Sequence, residues 1–161
     1  MMALQVLDSL FQGPLAHIKV IAWDLDGTLG LMPGWDGEMP ACNYVLSCQH
    51  LTSILAHLSS KYTVHHVLVS RNGIFCGETF ADASGEFVDL GFHRVLSCYR
   101  DREHSKVAAL DPSHSVLLID DQIAECVSAA DDGAVAMHVR EPFLHAIQSG
   151  NFALISKTRL L

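Results

Sequence analysis

The chain is short of basic charge. Ten Lys and Arg stand against eighteen Asp and Glu, for a net charge of −8 with histidine neutral. A large nucleic-acid footprint is therefore not expected, although a small basic pocket is compatible with this balance. Long apolar runs are also missing. None approaches the roughly 20 residues of a membrane span, so no membrane partner is expected. The N-terminus lacks a basic n-region and carries Asp8, and no secretory signal is expected. Cysteine is scarce and odd in number: Cys42, Cys48, Cys76, Cys98 and Cys126, with no C-x-x-C pair. This argues for reduced, mostly buried thiols in a cytoplasmic protein rather than a disulfide framework. The ten histidines include no His-x-x-x-His and no mixed Cys/His cluster at zinc spacing, so structural zinc is not expected. Charged residues make up only 17% and hydrophobic ones 50%, which excludes a disordered chain.

What is present organises around residues 17–29. An apolar run (Ile18, Val20, Ile21, Ala22, Trp23) stops at Asp24. A second acid, Asp26, follows, then Gly27 and Thr28. A short continuous apolar run reads as a strand buried on both faces, as in a parallel sheet. Such sheets bind ligands beyond the carboxyl ends of their strands. Two carboxylates there suit a catalytic or metal site, while solvated turn acids are the plainer alternative.

The remaining pattern alternates. Residues 2–12 read as an amphipathic helix, packed on the domain or presented to a partner. The loop at 30–41 is rich in Gly and Pro and carries Trp35. Helices are expected over 43–60, 75–90, 103–110, 122–131 and 142–149, and further strands over 62–69, 94–99, 115–119 and 134–139. This predicts a single α/β domain over residues 1–161, its core about 17–150, as a Rossmann-like three-layer sandwich on a mostly parallel five-stranded sheet. The apolar tail 150–161 is either an extra edge strand or an oligomer contact. A chain of this length can bury roughly 70% of its unfolded surface without a staple.

The strand ends then collect chemistry. Strand one ends at Asp24 and Asp26, strand two at Ser70, and strand four at Asp120 and Asp121. Lys106 opens the helix after strand three. Taken singly, Ser70 is an ordinary turn residue, Lys106 a solvated helix charge, and Asp120-Asp121 a helix N-cap. Together on one edge, the carboxylates need a cation, and hard oxygen ligands suit Mg²⁺. A hydroxyl and a lysine beside that cation can hold the oxygens of a phosphoryl group. Arg71, Arg100 and Arg102 are either a positive rim at the mouth or solvated surface charges. An EF-hand is not expected, because Gly27 comes too early and a buried strand precedes the acids.

Asp24-Leu25-Asp26-Gly27-Thr28, Val67-Leu68-Val69-Ser70, Lys106 and Leu117-Leu118-Ile119-Asp120-Asp121 resemble, in that order, the four motifs of the haloacid dehalogenase superfamily. The resemblance covers about residues 18–140. It implies a phosphatase in which Asp24 is the nucleophile and forms an aspartyl-phosphate. Asp26 would be the general acid and base, worth about 10²–10⁴-fold. It implies Mg²⁺ held by Asp24, the Asp26 carbonyl and Asp121, with Asp120 acting through water or as support. Ser70 and Lys106 would bind the phosphoryl group, with Arg71 and Asn72 completing the substrate-binding set. About 14 residues separate Leu29 from the next expected helix, and only Arg100 to Ser105 precede Lys106. Neither gap could hold a cap domain. The Ser70-Arg71-Asn72 turn and the Trp/Pro loop are similar to the magnesium-dependent phosphatase branch. The expected substrate is a phosphorylated small molecule or a phosphoprotein, and a homo-oligomer is a further expectation. The alternatives are a phosphotransferase or acyl-handling relative and, in another class, a non-catalytic phosphate-binding module.

Overall fold

A computed structural model describes residues 2–29, 48–71, 85, 87–98, 103–110 and 115–157. The expectations for loop 30–41 with Trp35, for Asn72, and for Arg100 and Arg102 lie outside these residues.

Five strands run parallel: β1 (Val20–Trp23), β2 (His65–Ser70), β3 (Arg94–Ser97), β4 (Val116–Asp120) and β5 (Val135–Val139). A sixth, β6 (Phe152–Ile155), lies antiparallel to β5. The order is β3-β2-β1-β4-β5-β6. The expectation of five strands is thus corrected to six. The added strand comes from the apolar tail. Gly150, in the left-handed region at φ 77°, ends the preceding helix, and the chain folds back so that Phe152 pairs with Val139. A left-handed residue after a helix is cheap only for glycine.

Strand residues alternate between two apolar clusters, as a period of two requires. Ile21, Trp23, Leu117, Ile119, Val135 and Met137 belong to one cluster. It also receives helix α1 (Met2–Phe11) through Ala3, Leu7 and Phe11, and helix α2 (Cys48–Tyr62) through Leu51, Ile54, Leu55 and Leu58. Ala22, Val67, Val69, Val116 and Leu118 belong to the other, with Val107, Leu110 and Ala129. Ala129 is on helix α3 (Ile123–Asp131). Helix α4 (Phe143–Ser149) buries Phe143, Ala146 and Ile147 and packs against α1. Dual burial explains why the strands read as unbroken apolar runs.

The first two helices are also tied by polar groups. Tyr62 donates to Asp8 Oδ1 at 2.5 Å, His57 Nε2 meets the same oxygen at 2.8 Å, and Lys61 Nζ lies 3.3 Å from Oδ2. The Tyr62 and His57 hydrogen bonds, with Lys61, hold the Asp8 carboxyl well below the usual carboxylate range.

The expected helix at 103–110 is replaced by turns. Ala108 N–H donates to the Ser105 carbonyl and Leu110 N–H to the Val107 carbonyl, both bonds three residues long. The following sequence, Asp111-Pro112, cannot prolong a helical ladder because proline has no N–H. Elsewhere the expected elements are present with shifted ends. Helix α2 runs on to Tyr62, and β2 begins at His65 and includes Ser70. Of the helix expected at 75–90, residues 85 and 87–90 are described and helical.

Candidate active site and metal centre

The site grows out of β1. Its register with β4 pairs Trp23 with Ile119, and Asp24 N–H continues the ladder by donating to the Ile119 carbonyl at 2.9 Å. Asp24 therefore comes level with Asp120 at the carboxyl edge of the two central strands. Both are buried. Lys106, itself 4% exposed, reaches the gap between them. Its Nζ donates to Asp24 Oδ1 at 2.7 Å and to Asp120 Oδ2 at 2.8 Å. The other oxygens are also engaged. Thr28 Oγ1 donates to Asp24 Oδ2 at 2.8 Å, and Gln122 N–H donates to Asp120 Oδ1 at 2.9 Å.

Asp121 completes the cluster. One ligand atom each from Asp24, Asp120 and Asp121 falls within 4.8 Å of the others. Among the described residues, Asp121 Oδ1 is buried without a hydrogen-bond partner. Buried polar atoms are rarely left so, and an orphan calls for an ion or water. Gly27 allows the close approach of the β1 turn. Its φ is 79°, and a Cβ there would lie 2.2 Å from Asp121 Oδ2. Any side chain at 27 would be strained and would push the carboxylate away.

The charges do not balance. Burial opposes the Lys106 ammonium, but the attraction of Asp24 and Asp120 outweighs this and holds its pKa above the ordinary lysine value. One ammonium cannot neutralise three carboxylates. The surplus falls on Asp120, pushed up to about 7 by burial and by the Asp24 charge, and on Asp121, pushed up to about 6 by burial and by Asp24. A divalent cation would supply the missing charge. The donors are all hard oxygens, which fits Mg²⁺, Ca²⁺ or Mn²⁺ better than a soft-ligand metal.

The other expected residues are placed as follows. Asp26 is half-buried on the turn two residues beyond Asp24. Ser70 is buried at the last position of β2 and accepts the Cys98 N–H on its carbonyl at 2.6 Å. Arg71 is engaged by Glu125 and by the carbonyls of Cys98 and His104. Three contributors carried no assignment in the sequence reading. Thr28 steadies Asp24, and its spacing of four residues was the available signal. His138, opposite Asp120 in the β4–β5 register, bonds the Asp121 carbonyl through Nε2 at 3.1 Å. Its position at a strand end could have marked it. Glu125 left no local signal, because its partner lies 54 residues away.

No family model matches the sequence, and no curated protein matches it.

Proposed function

We propose that the protein is a Mg²⁺-dependent phosphomonoesterase of the capless haloacid dehalogenase type, on a Rossmann-like sandwich. The observation that carries this reading is the junction of Asp24, Lys106, Asp120 and Asp121, with its surplus of negative charge and the orphaned Asp121 oxygen. Mg²⁺ would be held by Asp24 and Asp121, with the Asp26 carbonyl, and would supply positive charge toward the transferring phosphoryl group. Asp120 serves as support, held by Lys106 Nζ and the Gln122 N–H.

The chain's own residues divide the remaining work. An Asp24 carboxylate oxygen attacks phosphorus and the bond to the leaving oxygen breaks, giving an aspartyl-phosphate. Thr28 and Lys106, one on each Asp24 oxygen, keep the carboxylate in one orientation. Asp26 protonates the leaving oxygen. It then takes a proton from water as that water attacks phosphorus, releasing inorganic phosphate and restoring Asp24. Lys106 and Ser70 offset charge on the phosphoryl oxygens. The substrate class is a phosphorylated small molecule or a phosphoprotein, in keeping with the short gaps where a cap would be inserted.

The test is phosphate release from an aryl phosphate, a phosphotyrosine peptide, sugar phosphates and nucleotides, each with Mg²⁺ and with a chelator. Release from at least one, lost on chelation, is expected. Asp24→Asn should lower that release by about 10³-fold or more, because no carboxylate remains to attack, while leaving the fold intact by circular dichroism. Turnover by Asp24→Asn near the parent rate would remove Asp24 as nucleophile. Absence of release across the panel, with Mg²⁺ still bound, would favour transfer chemistry or a binding role.

A further inference from the structure

Arg71 follows Ser70 directly, and an arginine there invites a role in holding the substrate's anion. The geometry points to a different one: Arg71 and Glu125 form a clasp that positions Lys106. Arg71 Nε donates to Glu125 Oε1 at 2.7 Å, and an Nη donates to Oε2 at 3.3 Å. The guanidinium also donates to the Cys98 carbonyl at 3.3 Å and to the His104 carbonyl at 2.7 Å. Both side chains are mostly buried, at 16% and 20% exposed.

These contacts join three of the segments that carry site residues: the end of β2, the turn before Lys106 and the start of α3. Arg71 is adjacent to Ser70 at the end of β2. Cys98 follows β3, and His104 lies two residues before Lys106. Glu125 is in the first turn of α3, four residues after Asp121. The turn that bears Lys106 is closed by short three-residue hydrogen bonds, and its Ser105 Oγ donates to Asp132 just past α3. A planar guanidinium with five fixed donors can set its distance from both β2 and α3 at once, which a lysine ammonium cannot. The clasp thereby holds the ammonium between Asp24 and Asp120. As far as turnover is concerned, this role rests on the phosphatase reading above.

The deciding experiment compares Glu125→Gln and Arg71→Lys with the parent protein. Hydrogen exchange is followed across 103–110, and steady-state hydrolysis of 4-nitrophenyl phosphate is measured with Mg²⁺. A positioning role requires both variants to exchange faster at 103–110 while β4 and β5 are unchanged. It requires kcat to fall by about tenfold or more with KM within about twofold, since small misplacements of a reacting group are costly. An anion-binding role gives the opposite sign for Glu125→Gln: freeing Arg71 would lower KM and leave kcat unchanged. That result, or unchanged exchange at 103–110, would overturn the clasp. A parent protein that hydrolyses nothing counts against the phosphatase reading alone, because the exchange measurement needs no substrate and decides the clasp by itself.

Discussion

Trp23 and Asp24 are neighbours in sequence, and each leads into a buried polar network of opposite character. Trp23 Nε1–H donates to His66 Nδ1 at 3.0 Å, and His66 Nε2 meets the Leu55 carbonyl at 3.0 Å. A carbonyl can only accept, so Nε2 carries the ring proton and Nδ1 is the acceptor. The imidazole is neutral, and burial pushes its pKa down to about 4. Every ring donor has an acceptor, and the network joins β1, β2 and α2. One residue further on, Asp24 meets Lys106, Asp120 and Asp121, where charge is in surplus and one oxygen is orphaned. A closed neutral network stabilises a unique core, whereas an open charged one is kept at a cost in stability. That difference separates the structural cluster from the candidate site more sharply than burial does, since both are buried.

The largest test of this contrast is Lys106→Met. Removing one partner of a buried ion network leaves Asp24 and Asp120 facing each other, at a cost of about 3–5 kcal/mol. Phosphate release should fall by about 10²-fold or more with it. Urea denaturation and initial rates measure the two effects, and an unchanged kcat/KM would remove Lys106 from the site.

His66→Leu should strike stability alone. It strands the Trp23 N–H and removes the His66 bond on the Leu55 carbonyl, for a loss of about 1–3 kcal/mol. Mg²⁺ affinity by isothermal titration should stay within about twofold of the parent, as among the described residues the two networks have no hydrogen bond in common. A parallel loss of Mg²⁺ affinity would join what the contrast separates.

The last test is a matter of pH, and its sign differs between the networks. The His66 pKa is about 4 when folded, against 6.5 for an ordinary histidine. Between these, the unfolded chain binds more protons, so stability rises with pH across that window, by roughly 3 kcal/mol. Asp120 and Asp121 are raised from 3.8 to about 7 and about 6. Their contribution is present below 3.8 and is lost as pH rises through the folded values. His66→Leu without metal should therefore lose stability from pH 4 to 7, with the rising His66 component removed. Mg²⁺ bound as proposed would compete with those site protons and should raise Tm more at pH 7.5 than at pH 5.5. At about 100 times its Kd it adds about 2.7 kcal/mol. Equal shifts at both pH values would take the two acids out of the metal site.

Much of the fold is legible because its signals are local. Val116 to Ile119 are all buried, and a strand enclosed on both faces must read as an apolar run. Asp24 and Asp120 end such runs because a carboxylate at the rim can be solvated or paired, whereas one in mid-strand cannot. The sixth strand was harder to read: Phe152, Ala153 and Ile155 are half-buried, so their pattern suits an edge strand or a contact surface equally. The Lys106 turn was misread as a helix because its Val107 and Leu110 are buried at a spacing of three, which a helix or two successive turns satisfy alike.

Sequence alone determined the alternation of strands and helices, the acids that end β1 and β4, and the placing of Ser70 and Lys106 between them, because each follows from composition within a few residues. Tertiary structure decided which charges meet. Lys106 lies 82 residues from Asp24, and Arg71 lies 54 residues from Glu125. Strand order brings the first pair together, and the distance between β2 and α3 decides the second. A pairing of that kind depends on register and on packing of the whole sheet, which no short stretch of chain encodes.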